Sequence, residues 1–415
     1  MDKTIQKLTL NQELLLQRSE IQSERSISNR FYFDYNATSP LSNKVIDFIK
    51  SGDFLFGNPS SLHQTGKKSR KFINETSDFL FKTFLLDPKD FNLVYHSGAT
   101  EGINTFFKGI AFKFFKEKKV VSFFFSTVDH ACVVELKDDL EALGHKVFFF
   151  EVDHDGVFAS EVLIEKINLE KSLGRESYVN FTYINNETGV VWPLKLAETI
   201  KEKSGAYVHV DAVQLVGKIA NWNYLSSKLD SYTFSGHKFG ALKSSGFSFI
   251  RKDLKFTPLL VGGNQQIGLR AGTENALGIY SLKLSLEDIK EHFSATELMS
   301  AKKELESKLV KLMGTKGEVV AIDSQERNLN TIFIVLFGLK AETISAKFDL
   351  LGVDISTGSA CSSGVIKENR ILMGMGYSFE DSRSSLRFSF SPLMNKTDSK
   401  IYFEKIESIL KNILK

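Results

Sequence analysis

From about residue 91 the chain alternates between short apolar runs and longer amphipathic stretches. The apolar runs, rich in Val, Phe, Tyr and Ile, fall at 91–95, 120–125, 146–151, 178–184, 207–211, 231–235 and 246–250. Their composition and length predict strands. Between most of them, apolar residues recur at helical spacing over 101–115, 131–143, 160–171 and 194–203, which predicts helices. Strand–helix alternation predicts a mostly parallel sheet with helices on both faces. Past residue 292 the rhythm changes. A long helical stretch at 295–313 leads into a shorter α+β region with strands near 331–337 and 385–389. A terminal helix over 398–414 carries Ile401, Ile406, Ile409, Leu410 and Ile413 on one stripe.

This pattern divides the chain into a polar tail over 1–30, a large α/β domain over 46–292, and a smaller α+β domain formed by 31–45 with 293–415. A length of 415 residues exceeds what one core ordinarily serves, in keeping with two domains. The tail carries Asp2, Glu13, Glu20 and Glu24 among its basic residues and has no apolar core, so it reads as neither a secretion signal nor a transit peptide. Leu8, Leu14, Leu15 and Ile21 within it fall at helical spacing, but the tail is expected to be frayed with only some helix.

Charge and cysteine count narrow the function. A net charge of +3 argues against nucleic-acid binding by bulk electrostatics. No apolar run reaches the ~18 residues of a membrane span. Two cysteines, with no C-x-x-C pair and no H-E-x-x-H, exclude a disulfide framework and a structural zinc site, and no metal is expected. A free thiol points to a reducing, cytoplasmic setting.

The candidate chemistry lies at the predicted strand ends, where ligands of open α/β sheets gather. Ser97-Gly98-Ala99-Thr100-Glu101-Gly102 follows one strand and opens a helix, a place where small residues and free N–H groups suit a phosphate. Asp129 and His130 end another strand, and His130 is placed to stack on an aromatic cofactor and move protons. Asn185 and Asn186 end a third. Asp211 ends a fourth, with Gln214 one helical turn beyond. Ser235-Gly236-His237-Lys238 ends a fifth. An acid that keeps a pyridine nitrogen protonated, and an amine that holds an aldehyde as a Schiff base, are what pyridoxal 5'-phosphate needs. Asp211 and Lys238 supply that pair, Gln214 faces the phenolate oxygen, and Ser235 and His237 suit the phosphate. Arg387, within a strand-like alternation, needs an anion, and a substrate carboxylate suits its fork. Cys132, at a helix start, reads as a buried structural thiol. Cys361 sits in Ser356-Thr357-Gly358-Ser359-Ala360-Cys361-Ser362-Ser363-Gly364, a loop of small residues where a thiol has little to bury it.

Taken together these residues resemble the cysteine desulfurases of the class V aminotransferase group. The supporting strings stand in family order: Asp34-Tyr35-Asn36-Ala37-Thr38; Phe56-Gly57-Asn58-Pro59-Ser60-Ser61; Ser97-Gly98-Ala99-Thr100-Glu101; Asn185-Asn186-Glu187-Thr188-Gly189; His209-Val210-Asp211-Ala212-Val213-Gln214; Ser235-Gly236-His237-Lys238; Arg270-Ala271-Gly272-Thr273-Glu274-Asn275; Gly358-Ser359-Ala360-Cys361; and Ser385-Leu386-Arg387-Phe388. The resemblance implies the fold-type I architecture of pyridoxal-phosphate enzymes and a homodimer. It implies that Lys238 is the Schiff-base lysine, Asp211 the partner of the pyridine nitrogen, and His130 the stacking acid–base residue. It assigns the phosphate to Ala99, Thr100, Ser235 and His237, the phenolate oxygen to Gln214, and the substrate to Asn36, Asn186 and Arg387. Thr273 is assigned to the phosphate of the neighbouring subunit. By the same resemblance Cys361 takes sulfur from L-cysteine as a persulfide and passes it to an acceptor protein in iron–sulfur or tRNA-thiolation pathways.

The strings Gly262-Gly263-Asn264-Gln265-Gln266 and Gly240-Ala241-Leu242-Lys243-Ser244 depart from the family pattern, at positions expected to touch the site entrance or the subunit contact. Two other readings stay open on the sequence. One is a selenocysteine lyase or other β-eliminating relative, separable by comparing cysteine with selenocysteine. The other is a catalytically silent scaffold of the same fold.

Overall fold

The computed structural model describes residues 30–358 and 368–415. A two-residue strand, β1 (Phe31–Tyr32), opens the described chain. The central sheet is built from β2 (Phe91–His96), β3 (Ser122–Ser126), β4 (Lys146–Phe150), β5 (Ser177–Thr182), β6 (Tyr207–Asp211), β7 (Ser231–Ser235) and β8 (Gly246–Arg251), in the order β2-β8-β7-β6-β5-β3-β4. The pairs among β4, β3, β5, β6 and β7 are parallel. β8 alone runs against both its neighbours. The reason is length. Residues 236–245 are too few for a crossover helix, so the chain turns straight back beside β7.

Alternation along the strands sends successive side chains to opposite faces. Phe123 and Phe125 pack with Ile103, Phe106 and Phe107 of the helix Ala99–Lys116 on one side. Phe124, Phe181 and Phe234 pack on the other. Much of the chain's phenylalanine is therefore spent in these two layers, where rings meet edge to face at ~5 Å (Phe107 and Phe125, 5.1 Å).

A second sheet comprises β9 (Gly317–Val319), β10 (Thr331–Leu336), β12 (Ser356–Thr357) and β13 (Ser385–Ser389), antiparallel in the order β12-β13-β10-β9. β11 (Val353–Asp354) pairs with β1. Its core, including Leu305, Ile332, Ile334, Phe388 and Phe403, also takes in Phe33 from near the start of the described chain. No helix among the described residues is long and apolar enough to cross a membrane.

Two predicted helices differ in detail. The stretch expected as one helix over 131–143 forms two short ones, Ala131–Val134 and Lys137–Ala142. The break follows the β-branched pair Val133–Val134, which favours helix poorly. The terminal helix runs Lys396–Ile413 because Asn395 caps it, its side chain accepting from the Asp398 N–H. Ile401, placed on the apolar stripe by spacing, is 56% exposed, while Phe403 is fully buried with Ile406 and Leu410. The aromatic residue fixes the phase of the helix.

Gly57 shows how tightly one connection is built. A Cβ there would collide with the Thr65 carbonyl, whose carbon would lie 2.6 Å away. Gly57→Ala is expected to destabilise the fold by about 1–3 kcal/mol, read as a lower urea midpoint at unchanged slope.

Candidate active site

The carboxyl ends of β2, β3, β5, β6 and β7 open onto one cavity of about 690 Å³. Asn36, Ala99, Thr100, His130, Asn186, Asp211, Gln214, Ser235, His237, Lys238 and Arg387 all line it. Ser356, Thr357 and Gly358 border it from the second sheet. Thr273 is exposed and does not line it. Cys361 lies outside the described residues.

Lys238 closes the tight turn Gly236–Lys238 after β7. Gly236 is required there, since a Cβ would sit 2.6 Å from Leu282 and 2.7 Å from the Ser245 hydroxyl. The Lys238 ammonium donates to the Asn36 and Ala37 carbonyls, each at 2.8 Å. Burial, with the Arg387 charge adding to it, pulls its pKa down to about 8. A fraction of the amine is therefore neutral near physiological pH, as attack on an aldehyde requires.

Asp211 is 7% exposed and accepts the Val213 N–H at 3.0 Å. Among the described residues its other oxygen has no hydrogen-bond partner. Burial lifts its pKa to about 6, against the pull of the Val213 N–H and Lys238. A carboxylate this buried and this sparsely satisfied suits a cationic N–H partner.

Opposite, the helix Ala99–Lys116 begins at Gly98 with no side-chain cap, leaving its first N–H groups free. A Cβ on Gly98 would lie 3.7 Å from the Ser235 hydroxyl, within the space between helix start and β7. Thr100 and His237 border the same space. The His237 Nδ1 pairs with the Thr38 hydroxyl at 3.1 Å, and burial with Lys238 and Lys243 lowers its pKa to about 4. An uncapped helix start beside two hydroxyls is a phosphate cradle. Amine, acid and helix start thus have the chemistry that pyridoxal phosphate would need: an amine for the aldehyde, an acid for the ring nitrogen and free N–H groups for the phosphate.

Arg387 is more engaged than the sequence suggested. Its guanidinium donates to Asp34 Oδ1 at 2.8 Å, Glu187 Oε1 at 2.9 Å and the Asn186 carbonyl at 3.1 Å. Burial opposes its charge, but Glu187 and Asp34 outweigh burial and hold it charged. Burial in turn pushes the Glu187 carboxyl pKa up. The expectation that Arg387 waits for an anion is therefore revised: two carboxylates already share it, while its Nε is buried without a partner.

Cys132 also differs from expectation. It is half-buried, packed against the core layer on one side and lining the cavity on the other, with Sγ 3.1 Å from His130 Nδ1. Both departures from the family pattern carry contacts. Lys243 and Ser244 line the cavity. Gln266 holds its segment through the Tyr95 N–H (2.6 Å) and carbonyl (2.9 Å).

Lys218 has no signature in the sequence that marks it as part of the site. It is 1% exposed and donates to Asn36 Oδ1 at 3.1 Å and to Gln214 Oε1. Gln214 donates in turn to the Asn36 carbonyl at 3.0 Å. Lys218 therefore orients two amides of the cavity wall. The only hint in the sequence is its place four residues after Gln214.

Comparison with known proteins agrees with this geometry. The sequence matches the family described as Aminotransferase class-V over residues 31–400. It is 33% identical to cysteine desulfurase 2 of Trichormus variabilis, covering 87% of this chain and 88% of that one. It is also 33% identical to the cysteine desulfurase IscS of Dictyoglomus turgidum, over 92% and 95% of the two chains. Among solved structures, a NifS-like protein from Rickettsia africae superposes with a TM-score of 0.78 at 25% identity, over 92% of this chain and 99% of that one. A second NifS-like protein gives 0.79 at 27% identity, over 92% and 100%. A fold-type I sheet, a cavity fitted to pyridoxal phosphate and this match across nearly the whole described chain lead to one conclusion: the chain belongs to the class-V aminotransferase family of pyridoxal-phosphate enzymes.

Proposed function

We propose that the protein is a cysteine desulfurase, converting L-cysteine to L-alanine and leaving the sulfur on Cys361 as a persulfide. The observation that carries this reading is the meeting of Lys238, Asp211 and the uncapped helix start in one cavity that Arg387 also enters. Relatives named cysteine desulfurase, matched over most of their length, support the choice of substrate.

Pyridoxal phosphate, when bound, supplies an aldehyde that captures the substrate's amino group and a ring that accepts electrons from Cα. Asp211 holds the proton at the pyridine nitrogen. Arg387, once the substrate carboxylate takes the place of Glu187 on its guanidinium, and Asn186, with Asn36 behind them, hold that carboxylate and so present Cα to Lys238. The Lys238 amine moves the Cα proton. The Cys361 thiolate attacks the substrate sulfur, the Cβ–S bond breaks, and Cβ gains a proton to become the alanine methyl. Cysteine plus the Cys361 thiol thus gives alanine plus the Cys361 persulfide. The persulfide passes to an acceptor protein, of the kind that serves iron–sulfur cluster assembly or tRNA thiolation. A nucleophilic thiol of this kind suits a reducing cytoplasm.

The working unit is a homodimer. Phe56, Leu62, Val261 and Ile267 are each at least 80% exposed, more apolar surface than a lone subunit usually leaves to water. Thr273, exposed and outside its own cavity, then reaches the phosphate of the partner's site.

Arg387→Lys keeps the charge but loses the fork, so KM for cysteine is expected to rise about 10- to 100-fold with a smaller change in kcat. The reading as a whole is tested by incubating the protein with L-cysteine. Alanine should form, and the peptide containing Cys361 should gain one sulfur atom by mass spectrometry. Absence of alanine, or sulfur carried elsewhere, would overturn it. Faster turnover of selenocysteine than of cysteine would move the assignment to a selenocysteine lyase.

A further inference from the structure

We infer that His130 acts as a neutral hydrogen-bond donor through Nε2, in a tautomer that Cys132 fixes. His130 caps the short helix Ala131–Val134, and its Nδ1 accepts the Cys132 backbone N–H at 3.2 Å. The Cys132 Sγ stands 3.1 Å from the same nitrogen. A backbone N–H can only donate, so Nδ1 must offer its lone pair. The thiol, facing that lone pair, is also the donor. In a neutral imidazole the other nitrogen then carries the hydrogen.

The surrounding charges hold this state. Burial, Lys238 and Arg370 together lower the His130 pKa to about 4. Arg370 is fixed beside the ring, donating to the Thr127 and Asp129 carbonyls. The Asp129 carboxylate is occupied by the Ser126 N–H (2.8 Å) and the Thr182 hydroxyl (2.6 Å). Burial, with Asp211 and Asp129 adding to it, pushes the Cys132 thiol up to about 12, so it keeps its hydrogen. Protonating Nδ1 would break both contacts and set N–H against N–H.

The consequence for the reaction rests on the desulfurase reading; the tautomer itself does not. Nε2 already carries a hydrogen and Nδ1 is engaged, so the ring is no base at neutral pH. It gives a hydrogen bond into the cavity and neither takes nor releases a proton. This revises the expectation that His130 moves protons in both directions, and it leaves proton abstraction to Lys238. Cys132 is a positioning residue in this account.

The test is ¹⁵N NMR of the full-length, cofactor-loaded protein with labelled histidine, the His130 signals being identified by their loss in His130→Gln. The expected result is a protonated Nε2 and an unprotonated Nδ1, unchanged from pH 5.5 to 8. A hydrogen on Nδ1, or a titration midpoint inside that range, would overturn the assignment. Cys132→Ala removes one donor to the neutral form. It should move the Nδ1 resonance and, in a titration extended below pH 5.5, raise the His130 midpoint by ~0.5–1 pH unit. Cys132→Ser, which keeps a donor, should restore both. An unmoved Nδ1 resonance in folded Cys132→Ala would remove Cys132 from the account while leaving the backbone contact. None of these readouts depends on turnover, so they fail or succeed apart from the proposed reaction.

Discussion

Lys238→Ala is expected to lower cysteine turnover by at least about 10³- to 10⁴-fold and to abolish the yellow colour of the purified protein. Two effects add. The substitution removes the amine that would hold the cofactor's aldehyde, and it removes the group placed to move the Cα proton. No second amine can replace it. Lys218 is buried behind Gln214 and Asn36 and is not part of the cavity lining. Lys243 does line the cavity, but it belongs to the loop that follows, on the His237 side, where its charge acts on that imidazole. The Asn36 and Ala37 carbonyls, each bonded to Lys238 at 2.8 Å, lose their donor, so part of the loss reflects a rearranged wall. Adding methylamine separates the two contributions. Partial recovery of turnover would assign the main loss to the missing amine, while recovery of colour without turnover would assign it to the wall.

Cys361→Ser should leave the absorbance of the bound cofactor intact while turnover falls below detection, by on the order of 10³-fold or more. A serine hydroxyl is far less acidic than a thiol and forms no persulfide. Cys361 lies outside the described residues, yet the positions flanking its segment are fixed beside the cavity. Gly358 lines the cavity and packs so closely on the Asn369 side chain that a Cβ would collide with it. Asn369 caps the helix Arg370–Gly374, accepting the Leu372 N–H at 3.0 Å. Gly358 and Asn369, on either side of the segment that carries Cys361, thus pack against each other, with Gly358 on the cavity wall. Normal alanine production by Cys361→Ser would remove the proposed role of this thiol.

Much of this site is legible in the sequence because its parts obey local rules. Tyr207–Asp211 and Ser231–Ser235 are strands at the positions their composition predicts, and functional groups at strand ends converge in an open α/β sheet. What the sequence hides depends on distant partners. Lys218 reads as an ordinary surface lysine until Asn36, 182 residues away, closes over it. The sharing of Arg387 between Asp34 and Glu187 joins segments 353 and 200 residues apart, which no spacing rule reaches. Cys132 is hidden for the opposite reason. It lies two residues from His130, but its direction is set by a helix cap that breaks after four residues, where periodicity has nothing to read. The exposure of Ile401 has a similar origin, since one turn of amphipathic spacing fits either phase until Phe403 is packed.

The proposed activity depends on the cavity holding pyridoxal phosphate through one particular amine. Loading the protein with the cofactor, reducing with borohydride and mapping the peptides tests this most directly. The predicted result is a single pyridoxyl group on Lys238, lost in Lys238→Ala. A label on Lys218, Lys243 or any other lysine, or no label at all, would contradict it.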